Sequence, residues 1–144
     1  ATMHKLLVPI DGSDNAMRAL EYAIRLAKEY APMELVIVYA HEPPIIWGEL
    51  AIYLPEEKAK ELQRKHGEDI LRPSIERANR AGVTFTSRVL FGDIPQSIVS
   101  CAETLGCDGI VMGTRGMGAI LNLVAGSVAT KVIHLTKLPV TLVK

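Results

Sequence analysis

The stretch Cys107-Asp108-Gly109-Ile110-Val111-Met112-Gly113-Thr114-Arg115-Gly116 joins an apolar run to a glycine-spaced loop. The run up to Met112 has the length and composition of a buried strand, and an apolar-periodic segment from Val128 to about Thr136 has the spacing of a helix. Gly126-Ser127 stands immediately before that segment. The order is therefore strand, glycine loop, helix start.

A helix N-terminus carries unpaired N–H groups and a partial positive charge, so it favours an anion such as phosphate. Glycines at 113, 116 and 126 would let the backbone take positive φ and turn successive N–H groups into one concavity, with the Ser127 hydroxyl at the helix mouth. The same residues also fit a purely structural reading. Gly113 would then end a strand, Gly116 and Gly118 would make turns, and Ser127 would cap a helix.

The rest of the chain repeats the strand-then-helix order. Leu6 to Ile10 is an apolar run, followed by Asp11-Gly12-Ser13 and an amphipathic stretch with Met17, Leu20, Ala23, Ile24 and Ala27 at helical spacing. Ser13 fits the N-cap and Pro32 the stop. Leu35 to Ala40 reads as a second buried strand. A charged helix from about Glu56 to Ala81 follows, with Leu62, Ile70, Leu71, Ile75 and Ala78 as its apolar stripe, His66 solvated, and Pro73 expected to kink or divide it. Val83 to Phe91 is a third strand, Asp93 and Pro95 open another helix, and Pro139 to Lys144 closes the chain as a fifth strand. This alternation predicts one α/β domain over residues 1–144, a five-stranded parallel sheet with helices on both faces, Rossmann-like in its winding.

Between His41 and Pro55 the pattern breaks at Pro43-Pro44, Gly48 and Pro55, yet Ile45, Ile46, Trp47, Leu50, Ile52 and Tyr53 make the segment apolar. It fits either a stretch folded back over the core or a lid or partner surface.

Composition narrows the classes of function. Lysine plus arginine and aspartate plus glutamate are 16 each, so no long-range pull on nucleic acid is expected. No apolar run approaches the roughly 20 residues needed to cross a bilayer, and no leader is read before Met3, so a cytoplasmic protein without membrane contact is expected. Cys101 and Cys107 have neither the count nor the spacing of a zinc site or a disulfide framework, and read as buried free thiols.

In a wound sheet, ligands sit at the carboxyl ends of the strands near the switch in strand order. Asp11, Ala40 and Gly113 fall at such ends. The result is a crevice with a carboxylate on one side and an anion nest on the other, and a nucleotide satisfies both. Asp11 equally fits an Asx-type turn at the start of the first helix.

The spacing Gly113-x-x-Gly116, nine residues, Gly126-Ser127 resembles the nucleotide-binding signature of the ATP-binding universal stress proteins. The likeness runs from Leu6-Leu7-Val8-Pro9-Ile10-Asp11-Gly12-Ser13 to Pro139-Val140-Thr141-Leu142-Val143. Members that do not bind ATP typically lack the glycine pattern, so the resemblance implies the ATP-binding branch. It also implies roles for individual residues. Pro9, Ile10, Asp11 and Ala40 would line the base and ribose pocket, with Asp11 accepting from the ribose. Met112 and Gly113 would lie beneath the nucleotide. Gly116, Gly126, Ser127 and Val128 would hold the phosphates. Arg115 fits either a phosphate contact or a solvated side chain.

The resemblance points to a nucleotide-dependent regulatory module, and a slow ATPase would use the same residues. No G-x-x-x-x-G-K-[ST] is present, no acidic dyad is placed to align a water, and no catalytic residue is assigned. Mg²⁺ would be held mainly by the nucleotide, with Asp11 as the candidate carboxylate. A phospho-acceptor of the response-regulator kind is a remote alternative, because the residue after the third strand, Asp93, reads as a helix cap. Val140 to Val143, if at the side of the sheet, would offer an unpaired edge, and the family resemblance implies a homodimer through it.

Overall fold

The computed structural model describes residues 4–41, 56–114 and 127–144. Five strands, β1 (Lys5–Pro9), β2 (Glu34–His41), β3 (Thr84–Phe91), β4 (Gly109–Gly113) and β5 (Val140–Val143), form one parallel sheet in the order β3-β2-β1-β4-β5. Four helices connect or follow them among the described residues: α1 (Asp14–Glu29), α2 (Glu56–Ala81), α3 (Ile94–Thr104) and α4 (Ser127–Leu135). Strand order reverses between β1 and β4, and β3 and β5 are the edges.

Alternation along the central strands explains why helices cover both faces. In β2, Leu35 and Ile37 pack with Leu20 and Ile24 of α1 and Leu71 of α2, whereas Val36 and Val38 pack with Ile98 of α3 and Val132 of α4. Both sets are buried, so the strand has no polar face and must be sandwiched. On α1 the buried stripe is largely alanine, at positions 16, 19, 23 and 27, which brings the helix axis close to the sheet. Ser13 caps α1, its Oγ accepting from Ala16 N at 3.2 Å, and Asp93 caps α3, its Oδ2 accepting from Gln96 N at 3.1 Å. Asp93 thus has the cap role that the sequence assigns it.

At α2 one of the two outcomes expected of Pro73 is excluded, and the expected place of Leu62 in the apolar stripe fails. Pro73 does not divide it: the helix runs through that residue from Glu56 to Ala81. Proline on the exposed side of a helix costs one backbone hydrogen bond, but here Leu71, Ser74 and Ala78 on either side are fully buried, and their packing keeps both halves in place. The Ser74 hydroxyl donates to Met17 Sδ at 3.4 Å, and Arg77 forks onto Glu21 through Nε and Nη2 at 2.5 and 2.7 Å, so α2 is tied to α1 beyond the proline. Leu62 is 51% exposed and does not belong to the buried stripe. Counting back in fours from buried Gly67, that stripe passes through Gln63 and Ala59, both half-buried, and misses Leu62 by one position.

Cys101 and Cys107 are free thiols, as expected, but only Cys107 is buried; Cys101 is half-buried. Burial is the main reason the Cys107 thiol is pushed up to about 11, which leaves it protonated and unreactive at neutral pH.

Candidate functional site

The crevice opens where β1 and β4, neighbours in the sheet, send their chains to opposite faces. On the β1 side the chain leaves the sheet abruptly. Ile10 N still donates to Val38 O at 2.7 Å, and the Ile10 side chain is buried in the core under α1 and α2. Asp11 follows, exposed, with its Oδ1 accepting from Ser13 N at 2.9 Å. The Asx turn and the exposed carboxylate therefore coexist: one oxygen shapes the turn, and Oδ2 is the atom that remains for a ligand. Gly12 has φ +87°, a left-handed conformation that lets the chain reverse into α1 within two residues.

On the β4 side the structure corrects the reading of Gly113. Its backbone is not in the left-handed region; it ends the strand, paired in register with Val143. A Cβ there would lie 2.4 Å from Asn15 O and 2.9 Å from Ala16 N. Glycine is needed because the first turn of α1 is seated directly on the end of β4, not because a nest begins here. Thr114, next in line, is 3% exposed, and its N–H donates to Val143 O at 2.9 Å, with Oγ1 at 3.4 Å from the same oxygen. It fastens the end of β4 to β5.

Ala40 is half-buried on the face covered by α3 and α4, where Met112 is buried and Val128 packs from α4. The Met112 and Ile10 side chains belong to the core, so only their backbone faces the crevice mouth. Pro9 is half-buried as the last residue of β1. Ser127 opens α4 and is exposed. Pro9, Ile10, Asp11, Ala40, Met112 and Gly113 thus gather at the carboxyl ends of three adjacent strands, and Ser127 and Val128 stand at the amino end of a helix on one face. Arg115, Gly116 and Gly126 lie outside the described residues, as does the segment 42–55.

Sequence reasoning missed Asn15 and Thr114. Asn15 carried no signal, being one exposed-looking residue in a helix start. Thr114 sat inside the quoted loop, but its burial depends on β5 lying beside β4. Among the described residues no group of three or more histidine, cysteine, aspartate or glutamate side chains is placed to hold a metal ion. No helix among them is long and apolar enough to cross a membrane. A cavity of about 600 Å³ lies elsewhere, at the opposite end of the sheet, lined by Leu6, Leu26, Tyr30, Met33 and Val111.

Comparison with known proteins agrees with this architecture. The family model described as the universal stress protein family matches residues 2–144. The universal stress protein YxiE of Bacillus subtilis is 32% identical over 146 residues, spanning 98% of this chain and 99% of its own. Among solved structures, the universal stress protein UspA from Lactobacillus plantarum superposes with a TM-score of 0.79 at 20% identity, covering 100% of this chain and 99% of that one. A universal stress protein solved in complex with cAMP has a TM-score of 0.71 at 27% identity, covering 100% of this chain and 98% of that one.

Proposed function

Because the chain belongs to the universal stress protein family, we propose that it binds an adenine nucleotide, ATP first, in the crevice between the ends of β1 and β4, and acts as a nucleotide-dependent regulatory module. The observation that carries this reading is the placement of an exposed carboxylate, Asp11, at the strand-order switch beside the end of β4 from which the glycine-spaced loop departs. Asp11 Oδ2 would accept from the ribose. The backbone at Pro9, Ile10, Ala40, Met112 and Gly113 would border the base. Gly116, Gly126, Ser127, Val128 and Arg115 would meet the phosphates, since a helix N-terminus favours an anion. The relative solved with cAMP supports an adenine nucleotide as the ligand class.

Mg²⁺ would enter with the phosphates, because Asp11 offers one free carboxylate oxygen and an octahedral ion needs several further oxygens. The sequence carries no G-x-x-x-x-G-K-[ST], which favours regulation by occupancy over fast turnover. The edge position of β5, whose outer side has no partner strand among the described residues, supports a homodimer through Val140 to Val143.

Calorimetric titration of nucleotide-free protein with ATP and Mg²⁺, beside a phosphate-release assay, tests the reading. Binding without release is expected, and replacing Gly126 with a bulky residue should abolish it in a folded protein. Sustained release lost on Ser127→Ala would favour the slow ATPase instead. Absence of binding would return the glycine loop to a structural role.

A further inference from the structure

Four aromatic rings meet where β2 and β3 end beneath α2. His41 stacks on Tyr39 with centroids 5.2 Å apart and an interplanar angle of 22°, and leans on Phe91 at 5.1 Å. Tyr39 in turn meets the edge of His66, from α2, at 6.3 Å. α2 sits close over the Tyr39 side of this cluster, where a Cβ on Gly67 would lie 3.1 Å from Tyr39 Cδ2, while Phe91 and His66 are exposed. Within it, His41 Nε2 is buried and has no hydrogen-bond partner among the described residues. A buried ring nitrogen without a partner is costly, and its protonated form would be far costlier.

The cluster adjoins the crevice in two ways. His41 follows Ala40 directly, and its own backbone is fixed to the next strand, with Gly92 N donating to His41 O at 3.2 Å. Tyr39 feels the charge of Asp11 from the turn after β1. Among the described residues the groups facing His41 are Tyr39 from β2, uncharged Phe91 from β3, His66 from α2 and, beyond Tyr39, the Asp11 carboxylate. We infer that His41 is an acid-sensitive latch on the crevice: neutral, it stays seated among the rings and holds the end of β2; protonated, it leaves that seat, displaces the backbone at Ala40 and lowers nucleotide affinity. This regulation rests on the nucleotide reading above.

Burial, and then the nearby His66, lower the His41 pKa from its ordinary 6.5. The seated state thus resists protonation more than an open or unfolded one. Above 6.5 the ring is neutral in every state and contributes no pH dependence; as pH falls below it, the open state binds the extra proton and gains population. Ligand and proton compete through this one equilibrium, and the coupling is reciprocal.

The test uses the full chain. NMR titration of the histidine ring signals without ligand should show His41 changing charge below its ordinary 6.5. Calorimetry with ATP should show affinity falling about five-fold between about pH 7.5 and 5.5. In His41→Phe, where a ring of similar size keeps the stack, that fall should largely vanish; the titration of ATP itself is common to both proteins and cancels. His66→Gln, on an exposed side chain, removes the neighbouring charge and should move the His41 midpoint upward, which serves if His41→Phe fails to fold. An ordinary His41 midpoint, or an unchanged pH dependence in His41→Phe, overturns the latch alone. Absence of ATP binding at about pH 7.5, with His41 still shifted, overturns the nucleotide reading and the latch's regulatory role with it.

Discussion

Asn15 O occupies the place where a side chain on Gly113 would begin: a Cβ built on Gly113 falls 2.4 Å from it. The contact is between backbone and backbone, so no side-chain rotation relieves it. The start of α1 and the end of β4 are in direct backbone contact, beside the proposed nucleotide site. Gly113→Ala is expected to cost about 2–4 kcal/mol, since overpacking against fixed backbone is felt in full. Chemical denaturation would read the loss as a lower midpoint with an unchanged slope. A nearly unaltered midpoint would mean that α1 can slide along its axis.

The fold was legible because β1, β2 and β4 are apolar throughout and the helices carry clear stripes and caps, as at Ser13 and Asp93. What the sequence did not disclose were contacts decided by elements distant in the chain. Gly113 reads as a flexible glycine until Asn15 is seen against it. Leu62 reads as core until Gly67 fixes the helix phase. Pro73 reads as a break until the burial of Ser74 and Ala78 shows what holds the helix beyond it. Local pattern reports what each segment prefers, and tertiary packing overrules that preference where it supplies more energy.

Asp11 separates its two roles by substitution. Asp11→Asn keeps an Oδ1 that can accept from Ser13 N, so the turn and the stability should survive within about 0.5 kcal/mol. Asp11→Ala removes that acceptor and should lower stability by about 1 kcal/mol. Both replace the carboxylate that would receive the ribose hydroxyl, so both should weaken ATP binding by about ten-fold, the difference between a charged and a neutral acceptor. Thermal unfolding and calorimetry on the pair would check this. Equal ATP affinity in wild type and Asp11→Asn would remove Asp11 from the ligand site while leaving its turn intact.

Gly67 and Val89 should show strong coupling. A Cβ on Gly67 would lie 2.7 and 2.9 Å from the two Val89 methyls, and valine has little rotamer freedom with which to yield. Alanine in mid-helix would gain about 1 kcal/mol of propensity over glycine, but the clash should cost about 1–3 kcal/mol, so Gly67→Ala alone is expected to destabilise. On a Val89→Ala background the methyls are gone and only the 3.1 Å approach to Tyr39 Cδ2 remains, so the same change should cost much less. A double-mutant cycle by urea denaturation reads the coupling directly, with about 1–2 kcal/mol expected and additive effects contradicting the close seat of α2 on β3.

Asp108 ties the start of β1 to the turn before β4, and it makes that join acid-sensitive. Its Oδ2 accepts from His4 N at 2.8 Å and from Lys5 N at 2.9 Å, while Lys5 Nζ donates to Leu105 O at 3.0 Å. The two backbone N–H groups, first His4 and then Lys5, hold the Asp108 carboxyl below its ordinary 3.8, with partial burial opposing them. A folded value below the unfolded one means the unfolded chain binds more protons in acid. The join therefore contributes fully above 3.8 and is lost as pH falls through the lower, folded value. Asp108→Asn keeps an oxygen acceptor but not its charge, and should cost about 1 kcal/mol at neutral pH, a modest figure because the join is partly solvated. Below that acid range wild type and variant should converge, since the wild-type carboxyl is then neutral too. Unfolding curves for both proteins at about pH 7 and pH 3 would test it. A gap that stayed constant with pH would assign the effect to altered packing of the side chain instead of to its charge.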